Sequence, residues 1–294
     1  MTTALPSALT LAKGNLRCVI RPDLGGSVES LTYLGLAGDV PVLRAPPAVI
    51  HTVRDTGCFP LVPFSNRVAK ASLQWNGTDH PLVKMGTSEE HAMHGVAWQR
   101  PWQVLDEASD FAMLSYEHKA DSAWPFAFDV SQVFKLDEGG LTMTLSITNQ
   151  ALSHAPVGLG WHPYFAKREG AQLQFNATSR WEMGKDKLPT VLQATPSMAS
   201  NCADLDIDNC FEGWTGVVQL TDELLRTTVE SNLSRLVVYT KPSIVSIAIE
   251  PVSHANNAIN LAGANPAELE RLGVRVLASG ETFTAHMRIQ VYGL

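Results

Sequence analysis

Two residue types suited to moving protons stand out in this chain. His162 sits in 158-GLGWHPYFA-166, between Trp161 and Pro163 and just ahead of Tyr164 and Phe165, so an imidazole is set within an aromatic wall. Aromatic faces pack on the C–H faces of sugars, and concave sites commonly combine such walls with a few convergent polar groups. The competing reading is a core histidine satisfied by a backbone carbonyl. Glu250 ends the apolar run 244-IVSIAI-249, which is long enough for a buried strand. Glutamate is rarely buried without a partner or a task, although a strand-end carboxylate facing solvent is the simpler alternative. A carboxylate (pKa about 4.3) and an imidazole (about 6.5) can serve near neutral pH as base and acid, with nearby carboxylates holding the imidazole protonated.

Other polar residues gather in a few segments, 57-GCFPLVPFSNRVAK-70, 91-HAMHGVAWQRPW-102 and 208-DNCFEGW-214. Arg67 offers a planar donor fork, Asp208 an acceptor, and His94 a second imidazole; Asn66 can bind or hold its loop. For Arg67 the alternative is a surface ion pair, and for Asp208 a turn-forming role, because 204-DLDID-208 offers several acids. Gly25 and Gly26 suit a turn between strands better than a phosphate cradle, since no helical pattern follows them.

Taken in order, 23-DLGGSVESL-31, F-P-L-x-P-F-x-N-R at 59–67, His94-Gly95 with Pro101-Trp102, His162-Pro163-Tyr164-Phe165, Asp208 and Ile249-Glu250-Pro251 resemble the aldose 1-epimerase (galactose mutarotase) family over almost the whole chain. The resemblance implies a mutarotase in which Glu250 takes the proton of the anomeric hydroxyl and His162 protonates the ring oxygen. The pyranose then opens, C1 rotates about the C1–C2 bond, and the ring recloses as the other anomer. It implies His94, Arg67, Asp208 and Asn66 as substrate-binding groups, and neither a cofactor nor a metal. The segment 80-HPLVKMGTSEEHAMHG-95 is shorter than the loop often found there in that family, so the choice of sugar is the least specified property.

Rival chemistries fit less well. His91, His94, His162 and Glu250 would form a respectable metal-ligand set, but His91-x-x-His94 lies beside a glycine in a loop rather than two apart on a strand face. A glycoside hydrolase normally needs two carboxylates about the scissile bond, whereas the leading pair here is one carboxylate and one imidazole. A non-catalytic sugar-binding domain of the same fold, or a hexose-6-phosphate mutarotase, are the remaining alternatives. Against the phosphorylated sugar, the motif segments hold only Arg67, Lys70 and Arg100 as permanent cations, so a neutral aldose is expected.

The scaffold for these residues reads as β. The chain has 294 residues, 45% hydrophobic and 17% charged, enough apolar material for a continuous core. Short β-branched and apolar stretches are punctuated by Gly, Pro, Asn and Asp. In 128-FDVSQVFKLDEGGLTMTLSITNQ-150, two alternating runs flank Asp137-Glu138-Gly139-Gly140, a hairpin turn of residues that tolerate positive φ; Met143, Leu145 and Ile147 share one face. Helical signals are few, the best being 265-NPAELERLG-273, with Asn265 as cap, Pro266 at the first helical position and Gly273 as its end. The expected fold is all-β, a large antiparallel β-sandwich of the galactose mutarotase-like supersandwich kind with few short helices, forming a single domain over residues 1–294.

A net charge of −7 and the absence of a basic stripe argue against nucleic acid. Four scattered cysteines (Cys18, Cys58, Cys202, Cys210) and a start without signal-peptide features point to a reducing cytoplasm, and no apolar run of about 18 residues suggests a membrane partner. The expected partner is a small-molecule monosaccharide, bound by a monomer or homodimer.

Overall fold

A computed structural model describes residues 8–86, 89–263 and 265–294. It is an antiparallel β-sandwich. A nine-stranded sheet runs in the spatial order Gln103–Ala108, Phe111–His118, Phe128–Asp137, Gly140–Asn149, Thr282–Gly293, Leu225–Ser231, Val217–Thr221, Gln172–Phe175 and Met198–Asn201. Its central strands alternate: along Gly140–Asn149, Leu141, Met143, Leu145 and Ile147 are buried while Thr142, Thr144, Ser146 and Thr148 are half-buried on the other side. Threonine and serine hydroxyls pair across that outer face, as in Ser146–Thr284 (2.9 Å) and Thr148–Thr282 (2.8 Å).

The expected hairpin forms from Phe128–Asp137 and Gly140–Asn149, with Asp137 opposite Gly140. None of its turn residues adopts positive φ. The Asp137 carboxylate accepts from the Gly139 N–H at 2.8 Å, and a Cβ on Gly140 would lie 2.2 Å from the Ile289 carbonyl. Close strand approach, rather than left-handed backbone, is why glycine stands there.

An eight-stranded sheet forms the second layer. Its spine runs Pro189–Ala194, Ser179–Met183, Ile207–Glu212, Arg235–Thr240, Ser246–Val252, Gly160–Trp161 and Pro60–Leu61, with Tyr164–Ala166 also paired to Ser246–Val252. Phe211 of this sheet meets Phe175 of the nine-stranded sheet edge to face (4.9 Å between centroids, 80°), which marks the inter-sheet core. All seven residues of Ser246–Val252 are buried. Such a strand is covered on both sides and shows no alternation. Ile247 and Ile249 lie on the core side, so Ala248 and Glu250 must face the other way.

Helices are minor. Asn265 caps Pro266–Arg271 by accepting from the Ala267 and Glu268 N–H groups, and Gly273 follows at φ +83°. A second short helix, Ala258–Ala262, carries no sequence signal of its own. Gly25 and Gly26 form the anticipated turn, at φ +70° and +63°. No helix among the described residues is long and apolar enough to cross a membrane.

Candidate active site

Register brings the predicted residues together. Asp208 lies opposite Tyr239, Tyr239 opposite Ala248, and Ala248 opposite Tyr164, while Glu250 lies opposite Val237 one step along. Directly opposed residues share a face, so Asp208, Tyr239, Tyr164 and Glu250 all project away from the inter-sheet core. His162 is delivered beside them by the break between Gly160–Trp161 and Tyr164–Ala166. Its backbone N–H donates to the Phe59 carbonyl (2.9 Å), and the Tyr164 N–H to that of Gly57 (2.8 Å).

The opposite wall comes from the two polar loops. Arg67 pairs with Met93 in a short ladder. Asn66 and His94 both take left-handed backbone (φ +54° and +60°) and lock each other: the His94 N–H donates to the Asn66 carbonyl (2.8 Å), and the Asn66 N–H to His94 Nδ1 (3.2 Å). A backbone N–H can only donate, so Nδ1 is unprotonated and the imidazole keeps its proton on Nε2. Gly95 at φ +71° continues the turn, and a Cβ there would fall 2.0 Å from the Val62 carbonyl.

Together these groups line a cavity of about 240 Å³ with Phe59, Asn66, Arg67, His94, His162, Tyr164, Asp208, Tyr239 and Glu250 in its walls. Glu250 Oε1 stands 3.2 Å from His162 Nε2, with side chains 2% and 8% exposed. Phe59 packs on the His162 ring (4.8 Å between centroids) and His94 meets it edge to face (5.3 Å, 80°). Arg67 is buried, reaches the Asn66 side chain at 3.3 Å and Glu89 at 3.7 Å, and leaves its Nε without a partner. Asp208 is half-buried, and its carboxylate accepts no hydrogen bond among the described residues. Every predicted site residue therefore reaches one cavity.

Burial sets the electrostatics. Loss of water pushes the Glu250 carboxyl well above the ordinary range, aided by the charge of Asp208 and opposed by Arg67. It pushes His162 well below its ordinary value, as do His94, Arg44 and Arg54. His94 is lowered to about 3 by burial and by Arg67 and Arg54. The expectation that nearby carboxylates hold His162 protonated is thus reversed: desolvation and arginine charge outweigh them.

His91 stands outside this group. Its Nδ1 accepts from the Lys70 N–H (3.0 Å) and its Nε2 meets the Asp186 carbonyl (2.9 Å), so both ring nitrogens are committed to holding loops. Among the described residues no group of three or more His, Cys, Asp or Glu side chains is arranged to hold a metal ion. Residues 87–88 of the 80–95 loop lie outside the described residues. Local pattern gave no sign of Arg54, Lys187 or Tyr239, which also line the cavity. Lys187 sits at φ +61° in a strand connection, and only tertiary packing brings it to the site.

The profile of the family described as aldose 1-epimerase matches residues 7–290. The chain belongs to the aldose 1-epimerase family. Among its relatives is the uncharacterized Escherichia coli K12 protein YphB, 28% identical over 301 residues that cover 96% of this chain and 98% of YphB. A crystal structure of an Escherichia coli K12 protein provisionally described as an aldose 1-epimerase superposes with a TM-score of 0.84 at 27% identity, covering 98% of this chain and 99% of the other. A galactose mutarotase-like protein from Clostridium acetobutylicum shares the fold at the same TM-score of 0.84 with 17% identity, covering 98% and 95%.

Proposed function

We propose that this member of the aldose 1-epimerase family is a mutarotase that interconverts the α and β anomers of a neutral aldose, with Glu250 as base and His162 as acid. The observation that carries this reading is the Glu250–His162 pair, 3.2 Å apart and buried in the wall of a polar cavity. Ring opening needs one proton removed from the anomeric hydroxyl and one delivered to the ring oxygen as the C1–O5 bond breaks. Glu250 receives the first and His162 supplies the second. At rest burial leaves the pair's one shared proton on Glu250; the reacting form is the tautomer with that proton passed across the 3.2 Å contact to His162 Nε2. Ring opening takes the pair from carboxylate and imidazolium back to carboxylic acid and imidazole, with the total proton count unchanged. Burial favours that uncharged form, so it makes Glu250 a stronger base and His162 a stronger acid than either would be in water. After rotation about C1–C2 the imidazole takes the proton back from the C5 hydroxyl, the carboxylic acid protonates the carbonyl oxygen, and the other anomer forms.

The remaining groups serve recognition. Arg67 and the Nε2–H of His94 donate to sugar hydroxyls, Asp208 accepts, Asn66 fixes the loop between them, and Phe59 with Tyr164 offers apolar surface to ring C–H groups. Polarimetry on freshly dissolved α-D-glucose, α-D-galactose and several pentoses tests the proposal. Accelerated mutarotation of at least one sugar supports it. Sugar binding without acceleration of any would instead make the chain a non-catalytic carbohydrate-binding protein.

A second reading, a hexose-6-phosphate mutarotase, is favoured by one observation. Arg54 and Lys187 line the cavity, and neither forms an ion pair among the described residues. A kcat/KM for glucose 6-phosphate at least about tenfold above that for glucose at low ionic strength, about 1.4 kcal/mol of transition-state preference, would replace the neutral substrate with the charged one.

A further inference from the structure

His162 Nε2 has a second neighbour besides Glu250. The Tyr164 hydroxyl lies 3.4 Å from it, and the two rings sit 4.4 Å apart between centroids at 31°. Tyr164 is itself held from behind. The Arg44 guanidinium lies 3.7 Å from the centre of the phenol ring, a stacked cation–π contact. Arg44 is fixed in turn: its Nε and Nη2 donate to the Thr56 carbonyl (3.2 and 2.8 Å), its Nη2 also to the Arg54 carbonyl, and its backbone N–H to the Tyr164 carbonyl (2.7 Å). Arg44 pairs with no carboxylate among the described residues. An arginine anchored by carbonyls and a ring, forming no ion pair although Asp55 is near enough to raise its proton affinity, places positive charge behind the imidazole.

We infer that Arg44 and Tyr164 are positioning residues for the acid, the phenol hydroxyl holding the Nε2 edge of His162 toward the sugar while Arg44 clamps the phenol ring in place. The inference rests on the mutarotase reading above. As Glu250 turns to the anomeric hydroxyl, its 3.2 Å contact with Nε2 is given up, and Nδ1 has no partner to hold the ring. The Tyr164 hydroxyl is then the remaining polar contact that keeps the imidazole from rotating away from the ring oxygen. Angular precision of this kind changes the rate of proton transfer more than the affinity for sugar.

Charge gives Arg44 a second, separable effect. The groups facing His162 are Glu250, Tyr164, His94, Arg54 and Cys58, with Arg67, Asp208, Tyr239 and Lys187 across the cavity. Arg44 is among the cations that hold down the proton affinity of His162. Removing one positive charge from behind a coupled acid and base makes every added proton easier to accept, so both limbs of the pH–rate profile must move to higher pH.

Three variants separate these effects, measured by anomeric exchange on whichever aldose the wild type turns over. Tyr164→Phe keeps the ring and the stack and removes only the hydroxyl. It is expected to lower kcat by roughly 3- to 10-fold, the size of one net hydrogen bond, with KM changed less than about twofold. Arg44→Gln should lower kcat similarly and shift both pH limbs upward, whereas Arg44→Lys should keep the limbs in place while losing the flat stack and thus kcat. The ¹⁵N shifts of the His162 imidazole, titrated in wild type and Arg44→Gln without sugar, give the same sign independently of activity. A Tyr164→Phe enzyme within twofold of wild type in kcat, or unmoved pH limbs and imidazole titration in Arg44→Gln, overturns the inference. A wild type inactive on every aldose removes the mutarotase reading first and this inference with it.

Discussion

The nine-stranded sheet and the Ser246–Val252 neighbourhood of the eight-stranded sheet are built from similar residues for different ends. In the first, one face is dry and the other wet, so polar and apolar residues alternate along the central strands and the outward polar side chains meet water or a hydroxyl across the sheet, while Gln132 on the dry face donates to the Gly26 carbonyl. In the second, both faces are covered, and the polar groups on the outward face point into a cavity where water cannot solvate them fully. An outward polar residue of the first sheet contributes little beyond solubility and cross-strand pairing. In the second, Glu250 and Tyr164 carry raised proton affinities. The first region should therefore fail through stability and the second through rate.

The largest expected effect lies in the second region. Glu250→Gln and His162→Asn should each lower kcat by about 10²- to 10⁴-fold with the melting temperature nearly unchanged, and the double variant should lose little more than either single one, because the proposed base and acid would act as a unit. Additive losses would separate the two residues. Next comes Leu145→Ala, at a fully buried position of the nine-stranded sheet. A cost of about 2–5 kcal/mol should lower Tm by roughly 5–15 °C while kcat per folded molecule stays the same. A change in kcat without a change in Tm would erase the contrast between the regions.

Acid should distinguish them again. His254 accepts from the Ser65 N–H at Nε2 (3.1 Å), and its Nδ1–H donates to the Ala255 carbonyl (2.7 Å). Burial lowers it to about 4, as it lowers His94 to about 3 and His162 well below the usual value. All three are neutral in both folded and unfolded chains above about pH 6.5; below that pH the unfolded chain takes up protons that the fold refuses. Each such histidine then removes roughly 1.4 kcal/mol of stability per pH unit until its folded pKa is reached. Glu250, raised rather than lowered, acts with the opposite sign, losing stability as pH rises past the unfolded carboxylate value. With three imidazoles against one carboxyl, Tm should fall from pH 6.5 toward 4.5, and amide exchange should quicken in Ser246–Val252 more than in Gly140–Asn149. Uniform loosening of both sheets would contradict the assignment of acid sensitivity to the site. The smallest effect is at the surface of the nine-stranded sheet, where Asp137→Asn removes an exposed, forked ion pair to Arg288 (2.8 and 2.9 Å) and should cost no more than about 1 kcal/mol in urea unfolding.

The same contrast explains what could be read from the sequence. Alternation in 142–148 and turn residues at 137–140 make the hairpin and its inward face legible, because a half-wet sheet writes its geometry into residue order. Glu250 and His162 were legible for a different reason: each is a proton-moving group where the surroundings are apolar or aromatic. Arg44, Arg54, Lys187 and Tyr239 carried no such mark. An arginine in a loop or a lysine in a strand connection looks alike whether it meets water or a cavity, and only long-range pairing decides. Sequence order also misleads about the protonation of His162 for the same reason, since burial, with His94 and the two arginines Arg44 and Arg54, lowers its proton affinity.

The central claim is that Glu250 and His162 exchange protons with an aldose to open and close its ring. Two-dimensional exchange NMR on equilibrated α/β mixtures of glucose, galactose and pentoses, run with and without the protein, observes that interconversion itself. Cross-peaks between the two anomeric protons of at least one neutral aldose that appear with wild type and vanish with Glu250→Gln, while sugar binding persists in both, are the predicted result. Cross-peaks of equal strength with Glu250→Gln, or their absence for every aldose that wild type binds, would contradict the account.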